Sequence, residues 1–545
     1  MNSIWVNQAG YLPGSRKRAV LNYNASGFQL TDVSGAVVYS GALKHFGTDD
    51  ISGEDVYVAE FDDIKTEGTY RVTADGVSSV SFRISTDVYD GLMKDLMKCY
   101  YYLRCGDALD PEYAGEYYHG PCHLTPATVY GEDIPPVDVT GGWHDAGDYG
   151  RYSTAGAVAV AHLLYGVRFF NSILDIRFDI PQVTCESGTL PDILAEVKVE
   201  LDFLRKMQRE DGSVWHKVTT FRHAEFIMPE DDHDELFLFH VSSLATADIA
   251  AVFALASTVY RAYDAAYADS LMTASLKAYE WLKANPEPLL FYNAPGSGTG
   301  EYSEDEDISN RYWAACALYE ATSDETYLKD ASALYRSLAD HDAHAARKGY
   351  QGDVFTCMGW AEVAGLGSLS LILKDDNNAL TDSVKNSFIT EADRLCANAG
   401  KNGFNLCMTR ADFIWGSNME LLKYMMILTV ADRLESSDRY RDVIQSGIDY
   451  LLGLNSMDIS YVTGNGEKAY KHPHLRPTAV DDIDDPWPGL VSGGPNMGLQ
   501  DARAKEVDPD SAPMKCYLDH EECYSLNEIT IYWNSPFVFV LARML

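Results

Sequence analysis

The hydrophobic period of the sequence changes once, near residue 85, and this change limits the fold more than any other feature. The first 85 residues contain short runs such as FQLTDV and GTYRVTA, in which apolar and polar residues alternate. Gly, Asp, Asn and Ser separate these runs at intervals near ten residues. This spacing is typical of antiparallel strands. The sequence therefore predicts a small all-β sandwich over residues 1–85.

From about Val88 the apolar residues recur at i, i+3, i+4 and i+7, which is the period of amphipathic helices. About twelve such segments follow, from GLMKDLMKCYYYLR to NEITIYWNSPFVFVLARML. Twelve helices paired as six hairpins would close into an (α/α)6 barrel, although the period alone also allows a solenoid. The predicted architecture is multi-domain, with the sandwich at residues 1–85 followed by a large all-α domain at residues 86–545.

Composition and charge limit the partners of the chain. Of its 545 residues, 46% are hydrophobic and 23% are charged, which is ordinary for a soluble globular protein. The formal net charge of −38 repels nucleic acid phosphates and anionic membrane surfaces. Nucleic acids and membranes are therefore not expected as partners, whereas a neutral or cationic ligand is. An acidic balance also serves solubility alone.

The N-terminus and the cysteines favour a cytoplasmic location. The opening MNSIWVNQAG lacks the basic and apolar regions of a secretory signal, and no run of 18 apolar residues occurs. Ten cysteines are scattered through the chain without the density of a disulfide scaffold. We expect most of them to be reduced. A secreted protein would follow if a signal had been removed from this sequence.

The stretch GGWHDAGDYGRY at residues 141–152 places two carboxylates, Asp145 and Asp148, just before a helix predicted to begin near Ser153. Two carboxylates on one loop can face one cavity, and their shared charge would shift one pKa. Paired carboxylates of this kind serve general acid–base chemistry. Carboxylates also stabilise the N-terminus of a helix, so a purely structural role stays open at this point.

A third carboxylate, Glu528, lies in the last helical segment beside Tyr524 and Trp533. Apolar surroundings desolvate a carboxyl group, which raises its pKa and keeps it protonated as a general acid. Taken alone, the residue is also an ordinary glutamate near a helix N-terminus. Glu528 and Asp148 are far apart in sequence, so only a closed fold would bring them together.

Four residues have the donor types of a tetrahedral zinc site: Cys105, Cys122, His123 and His144. Their spacing is not that of a zinc finger, and two core cysteines with two surface histidines are the alternative. If all four bind, no coordination position stays open, so the metal would be structural.

A further loop, KHPHLRP, carries His474 and Arg476, whose side chains offer directed donors to a polar, uncharged ligand. Arg476 could instead form an ion pair with the acidic run DDIDDPWPG. Trp415, in FIWGSN, is one of several aromatic residues near loops whose flat faces suit stacking on sugar rings.

Five segments in order resemble the signature segments of glycoside hydrolase family 9: GGWHDAGDYGRY, MPEDDHDELF, FIWGSN, HPHLRP and NEITIYWNSPFVFVLA. The opening IWVNQAGYLPGSRKRAVL resembles the immunoglobulin-like domain that precedes the catalytic domain in one branch of that family. The resemblance covers essentially the whole chain. It implies an immunoglobulin-like sandwich followed by an (α/α)6 barrel that hydrolyses β-1,4-glucosidic bonds with inversion.

The resemblance also implies roles for individual residues. Asp148 matches the general base, Asp145 helps to hold the attacking water, and Glu528 matches the general acid. An inverting pair stands roughly 6.5–9.5 Å apart, which leaves room for that water. The implied sugar contacts are His474, Arg476, Tyr524 and Trp415.

The family resemblance also implies which metals the protein binds. The branch with the N-terminal sandwich carries a structural zinc, and its ligand pattern is present as Cys105, Cys122, His123 and His144. Relatives often bind calcium near an Asp-Glu pair, where this chain has Ser309 and Asn310, so calcium is less expected here. The acidic run 304–307 lies nearby and is a possible substitute. Leu475 stands where the family often has a second histidine, which removes one sugar contact.

The substrate class implied is a β-1,4-glucan, as oligosaccharide or polysaccharide. The sequence shows no carbohydrate-binding module, which favours a cellodextrinase acting on soluble cellodextrins over an endoglucanase. The alternatives are an exo-β-glucosaminidase, whose cationic substrate suits an acidic protein, and a non-catalytic glucan-binding protein. The insertions at 110–141 and 477–523 decide which end of the cleft is open. The sequence does not indicate the oligomeric state.

Overall fold

A computed structural model gives the fold and describes residues 2–340 and 352–544. Within these ranges the helices are α1 (Asp90–Tyr102), α2 (Pro111–Ala114), α3 (Ser153–Phe169), α4 (Asp192–Lys206), α5 (Ser243–Tyr260), α6 (Ala265–Ala284), α7 (Ile308–Thr322), α8 (Glu325–Asp340), α9 (Ala364–Lys374), α10 (Ala379–Ala399), α11 (Ser417–Leu434), α12 (Asp438–Leu451), α13 (Tyr524–Asn527) and α14 (Ile531–Ala542).

The strands are short. They are β1 (Ile4–Trp5), β2 (Gly10–Tyr11), β3 (Arg18–Leu21), β4 (Phe28–Asp32), β5 (Val37–Gly41), β6 (Lys44–Thr48), β7 (Asp55–Glu60), β8 (Gly68–Ala74), β9 (Val77–Ser78), β10 (Phe82–Ile84), β11 (Thr128–Val129), β12 (Arg151–Tyr152), β13 (Thr184–Cys185), β14 (Gly188–Thr189), β15 (Val214–Trp215), β16 (Lys217–Thr219), β17 (Phe237–Leu238) and β18 (Val241–Ser242).

The first ten strands form the predicted β-sandwich, which is confirmed. One sheet has the order β1-β3-β7-β6, and the other has the order β2-β10-β8-β4-β5 with β9 on β8. Alternate residues point to opposite faces of a strand, so Tyr70, Val72 and Ala74 of β8 are buried while Arg71 is exposed. Strand β6 was not predicted, because it is an edge strand whose residues are mostly exposed and carry no alternating pattern.

The predicted helical domain is also confirmed, since each of the twelve periodic segments coincides with a helix of eleven or more residues. One prediction at its C-terminal end is wrong. Glu528 does not lie in the last helix, because α13 ends at Asn527 and α14 begins only at Ile531. The backbone of Glu528 is instead extended and pairs with His474.

The chain divides into two compact units. Unit 1 consists of Met1–Leu96, Ile389–His474 and Asp484–Ile529, and unit 2 of Met97–Phe388, Leu475–Ile483 and Thr530–Leu545. In unit 1, polar groups join the sandwich to helix α12. The guanidinium of Arg18 donates to both carboxylate oxygens of Asp442 at 3.0 Å, and Asn7 Nδ2 donates to Asp449 Oδ1 at 2.8 Å.

In unit 2, alternate helices pack side by side. Helix α14 packs on α3, α3 on α5, α5 on α7 and α7 on α9, while α4, α6 and α8 each pack against the helix before them. This is the order expected of consecutive helical hairpins. Among the described residues, α5 is the one helix long and apolar enough to span a membrane, and 94% of it is buried inside the protein, as in a core helix.

Unit 2 also contains a four-stranded sheet of order β11-β17-β16-β12, which the prediction of an all-α domain missed. Each strand has only two or three residues, too few to produce a visible alternation. In this sheet Tyr152 of β12 lies opposite Lys217 of β16. The sheet therefore fixes the end of the 141–152 loop.

Candidate active site

Helix α4 fixes the start of the 141–152 loop. Trp143 Nε1 donates to Glu196 Oε1 at 2.9 Å, and the Trp143 backbone N–H donates to Glu200 Oε2 at 2.7 Å. Gly142 has φ +80°, and a Cβ at this position would lie 2.6 Å from the Phe203 ring. Only glycine allows this close approach without strain. The loop is thus held against α4 just before its first carboxylate.

Asp145 is 1% exposed and sits in a closed turn. Its backbone N–H donates to the carbonyl of Gly150 at 3.0 Å. The hydroxyl of Tyr302 donates to Asp145 Oδ2. Tyr302 has φ +48°, a conformation that is costly for an aromatic residue and common at functional sites. Sequence reasoning missed Tyr302, because neither its contact nor its backbone conformation is visible in the sequence.

Asp148 is 7% exposed, and its Oδ2 gathers three contacts. The Tyr152 hydroxyl donates to it at 3.0 Å, the Gly150 N–H donates at 3.1 Å, and His223 Nδ1 lies 3.3 Å away. Burial alone would raise the pKa of Asp148, but His223, Arg476 and Tyr152 together hold it below its usual range. Within the described part of the chain, Oδ1 has no hydrogen-bond partner.

The segment that carries His223 is anchored by two hydrogen bonds just after this residue. Arg476 Nε donates to the carbonyl of Ala224 at 2.7 Å, and the Tyr149 hydroxyl donates to the carbonyl of Ile227. Arg476 also donates to the carbonyl of Gly147. The predicted sugar contact Arg476 is thus 6% exposed and joins two loops of unit 2. Whether it also contacts sugar stays a prediction.

A small pocket opens beside the Asp148 carboxylate. Asp148 and His223 line it, with Thr219, Thr220 and Asp232 among the other lining residues. The lining mixes polar and apolar residues and contains both members of the Asp148–His223 pair. The pocket therefore has room for about one water molecule next to the candidate base.

The four predicted metal ligands come together in unit 2. The ligand atoms of Cys105, Cys122, His123 and His144 lie within 4.8 Å of one another, and all four residues are buried. His123 Nε2 lies 3.3 Å from Asp232 Oδ2, which leaves Nδ1 buried and without a hydrogen-bond partner among the described residues. Orientation of a histidine by a carboxylate is common behind metal sites.

Backbone pairing brings this Cys–His cluster next to the carboxylates. The Cys105 N–H donates to the carbonyl of Gly142, and the His144 N–H donates to the carbonyl of Leu103, each at 2.8 Å. These two bonds align the segment after α1 with the 141–152 loop. Because His144 directly precedes Asp145, the cluster holds the loop at its first carboxylate.

The other predicted site residues lie together in unit 1. The His474 N–H donates to the carbonyl of Asn527 at 2.9 Å, which places the backbone of His474 beside Glu528. The Tyr524 ring lies 5.3 Å from Trp415 and 6.0 Å from His474, measured between centroids. Trp415 is 42% exposed and Tyr524 is 37% exposed. Glu528 is thus accompanied by an exposed aromatic surface.

An aromatic cluster around Asp145 was not predicted. The Tyr302 ring lies 4.7 Å from Tyr152, 5.0 Å from Trp360 and 6.1 Å from Tyr532. The chain contains 64 aromatic residues, 35 Tyr, 20 Phe and 9 Trp, so aromatic character alone does not single out these four. Only the fold brings them together.

The chain is similar to known proteins along essentially its whole length. The family model for glycosyl hydrolase family 9 matches residues 89–541, and the model for the cellulase N-terminal Ig-like domain matches residues 1–79. A cellodextrinase of Butyrivibrio fibrisolvens is 67% identical over 546 residues, which covers 100% of both chains. Endoglucanase D of Acetivibrio thermocellus is 34% identical and is matched over 99% of this chain and 83% of its own length.

Solved structures show the same similarity. The structure of AaCel9A in complex with a cellobiose-like isofagomine has a TM-score of 0.91 at 34% identity and covers 99% of both chains. A Zn-binding triple mutant of the family 9 endoglucanase J30 has a TM-score of 0.88 at 33% identity, covering 98% of this chain and 99% of its own. On this evidence, the chain belongs to glycosyl hydrolase family 9 and is a glycoside hydrolase with an N-terminal immunoglobulin-like domain.

Proposed function

We propose that the protein hydrolyses β-1,4-glucosidic bonds in soluble cellodextrins, with inversion at the anomeric carbon. The observation that carries this proposal is the buried pair Asp145 and Asp148, held on one fixed loop by donors from several elements. The 67% identity to a cellodextrinase supports the substrate class. Endoglucanases among the relatives support the β-1,4-glucan bond but leave the preferred chain length as part of the proposal.

In the proposed reaction, a water attacks the anomeric carbon while Asp148 takes one of its protons. The contacts on Oδ2 keep Asp148 ionised and orient it, and Oδ1 is the oxygen available to accept the proton. Asp145, oriented by the Tyr302 hydroxyl, holds the same water. Glu528 gives its proton to the glycosidic oxygen as that bond breaks. One proton is thus taken and one is donated in each turnover.

We further propose that Trp415 and Tyr524 stack on sugar rings and that His474 binds a sugar hydroxyl. The partial exposure of both aromatic rings suits this role, since their faces are accessible to a ligand. His474 Nδ1 lies 2.6 Å from the carbonyl of Glu521, which orients the imidazole.

We propose a structural zinc bound by Cys105, Cys122, His123 and His144. The donor set suits zinc, and the buried Nδ1 of His123 has the character of a ligand atom. The ion would hold the 141–152 loop and supply no step of the reaction. Metal analysis of the purified protein should give about one zinc per chain, and Cys122→Ala should lose it and melt at least about 5 °C lower. Zinc content below about half an equivalent would contradict the site.

The expectation that calcium is doubtful in this chain and the cytoplasmic location both stay predictions. At the Ser309–Asn310 position, for which the family resemblance implies a calcium site in other members, Asn310 Nδ2 donates to Asp248 Oδ1 at 3.0 Å and to Glu304 Oε1 at 3.4 Å. The amide therefore occupies carboxylate oxygens that a cation would need. Fractionation of the native cells would test the cytoplasmic location.

The proposed function is tested by digesting cellopentaose, carboxymethylcellulose and chitosan oligomers side by side. We expect rapid cleavage of cellopentaose, slow cleavage of carboxymethylcellulose and none of chitosan. Proton NMR of the first products should show the α-anomer. An initial β-anomer would contradict inversion, chitosan cleavage would indicate a glucosaminidase, and binding without cleavage would indicate a non-catalytic glucan-binding protein.

A further inference from the structure

Lys217 is a fully buried lysine whose role the proposed reaction does not explain. It lies on β16, directly opposite Tyr152 of β12, and none of its surface is exposed. Lysine is among the residues least often buried, because its charged form loses water. Lys217 is thus a buried lysine on the strand paired with β12, which directly follows the loop of the candidate base. Such a lysine needs a specific set of partners.

The partners of Lys217 belong to one segment, residues 293–302. Its Nζ lies 2.6 Å from Asn293 Oδ1, 3.0 Å from Thr299 Oγ1 and 2.6 Å from the carbonyl oxygen of Gly300. As an ammonium, Lys217 donates to all three atoms. As a neutral amine, it has only two hydrogens and must accept the third bond from the Thr299 hydroxyl. The charged form thus holds this segment most firmly.

Aromatic rings surround the same amine. Nζ lies 4.9 Å from the centroid of Phe239, 5.4 Å from Phe291 and 5.7 Å from Tyr152. Ring faces at these distances attract a cation. Burial lowers the pKa of Lys217 to about 7, although the charges of Asp148 and Glu301 oppose that change.

The segment held by Lys217 ends at the active site. The neighbouring residue of Lys217, His216, contacts the carbonyl of Glu301 through Nε2 at 3.0 Å. The next residue, Tyr302, donates to Asp145 and has the strained φ of +48°. A strained residue keeps its conformation only when its surroundings fix it. The contacts of Lys217 with Gly300 and of His216 with Glu301 supply that fixation immediately before Tyr302.

We propose that Lys217 is a positioning residue of the active site. As a buried ammonium, it holds the 293–302 segment and so sets Tyr302 against Asp145 and Tyr152 against Asp148. This inference rests on the proposed roles of Asp145 and Asp148 in the reaction. Because Lys217 acts through these residues and not on the substrate, its loss lowers kcat and leaves KM nearly unchanged.

The inference has a pH signature. The titratable groups that face Lys217 are Asp148, Glu301, the Tyr152 phenol and the adjacent His216. Asp148 is already ionised at neutral pH, whereas Lys217 loses its proton as the pH rises through about 7. Activity that depends on the ammonium is therefore present below this pH and lost above it.

The test uses an activated aryl β-cellobioside, whose leaving group needs no proton from Glu528, so that the general acid does not contribute to the alkaline limb. We expect wild-type kcat to fall about fivefold between about pH 6 and about pH 8, because Lys217 loses its proton near pH 7 and the uncharged form keeps about a tenth of the activity. Lys217→Met should have about tenfold lower kcat at the lower pH and an unchanged KM. Its pH profile should lack the alkaline limb, that is, the fall of kcat near pH 7.

Two milder substitutions should shift the alkaline limb of the kcat profile in opposite directions. Thr299→Val removes one partner of the ammonium and should move the limb to lower pH. Asn293→Asp places a carboxylate beside Nζ and should move it to higher pH. If Lys217→Met does not fold, this pair decides the question. The proposal is overturned if Lys217→Met keeps the wild-type kcat and limb, if its KM rises with kcat unchanged, or if neither milder variant moves the limb.

Failure of the proposed function has a different outcome. If the wild-type protein cleaves neither the aryl cellobioside nor cellopentaose, the hydrolase proposal is wrong. The charged state of Lys217 is then measured by NMR titration of the lysine side chains labelled at Cε. A lysine signal that titrates near pH 7, is absent in Lys217→Met and has a higher pKa in Asn293→Asp supports the role of Lys217. If all lysines titrate near their ordinary value, the proposal is overturned.

Discussion

The segments that carry the candidate base and the candidate acid are held in contrasting ways. The base Asp148 is 7% exposed, and side chains and backbone from several elements bind its Oδ2. The acid Glu528 lies on an extended segment that is paired through its backbone to His474 and Gly493, beside exposed aromatic rings.

The chemistry of the two roles explains this difference. A buried carboxylate that must stay ionised needs donors, because its charged form is otherwise destabilised by burial. A carboxylic acid that must stay protonated needs few donors, and donors would lower its pKa. The base loop is therefore a fixed polar structure, and the backbone path of the acid segment is defined by its pairing with His474 and Gly493.

The largest effect is expected from substitution of the candidate base. Asp148→Asn should lower kcat on cellopentaose by about 10⁴, because it removes the proton acceptor and leaves the Tyr152 and His223 donors in place. Steady-state kinetics measures the loss. Asp133→Asn, an exposed carboxylate of unit 2, is the matched control and should keep full activity. A loss below about tenfold in Asp148→Asn would remove this residue from the mechanism.

Substitution of the candidate acid should lower kcat by a factor that depends on the substrate. Glu528→Gln should lower kcat on cellopentaose by about 10³ but on an activated aryl cellobioside by less than about tenfold, since a good leaving group needs no proton. Glu521→Gln, a neighbouring glutamate, controls for the loss of charge. Equal losses on both substrates would contradict a role as general acid.

A smaller change sharpens the description of the base loop. His223→Asn removes a partner that holds the pKa of Asp148 below its usual range. The folded-state pKa of Asp148 should then rise, so the acidic limb of kcat/KM moves to higher pH by up to about one pH unit. The effect is modest because the His223 side chain is 40% exposed to solvent. An unchanged acidic limb would show that His223 does not act on Asp148.

The smallest effect is expected on the exposed surface of the acid segment. Trp415→Ala should raise KM for cellopentaose by about fivefold and leave kcat nearly unchanged, because stacking on a sugar ring contributes about 1 kcal/mol. Phe46→Ala, an aromatic residue of the sandwich with 41% exposure, is the matched control. If kcat fell instead of KM rising, Trp415 would act on the reaction rather than on binding.

Much of the molecule could be predicted from local patterns. The alternation of strands and the 3.6-residue period of helices report burial directly, so they located the sandwich and the twelve long helices. The Cys105, Cys122, His123 and His144 set was found by donor chemistry and by resemblance, and the fold brings these four residues together. Asp145 and Asp148 were found because both lie within one short stretch.

The sequence by itself therefore determined the order of the elements and the residue types that can do the chemistry. Only the tertiary structure decided that Tyr302 orients Asp145, that His223 faces Asp148 and that Lys217 holds the 293–302 segment. Each of these contacts joins residues more than 70 positions apart, and no periodic pattern encodes such a pairing. Their positions depend on burial, hydrogen bonding and backbone strain, which arise only when the separate segments pack together.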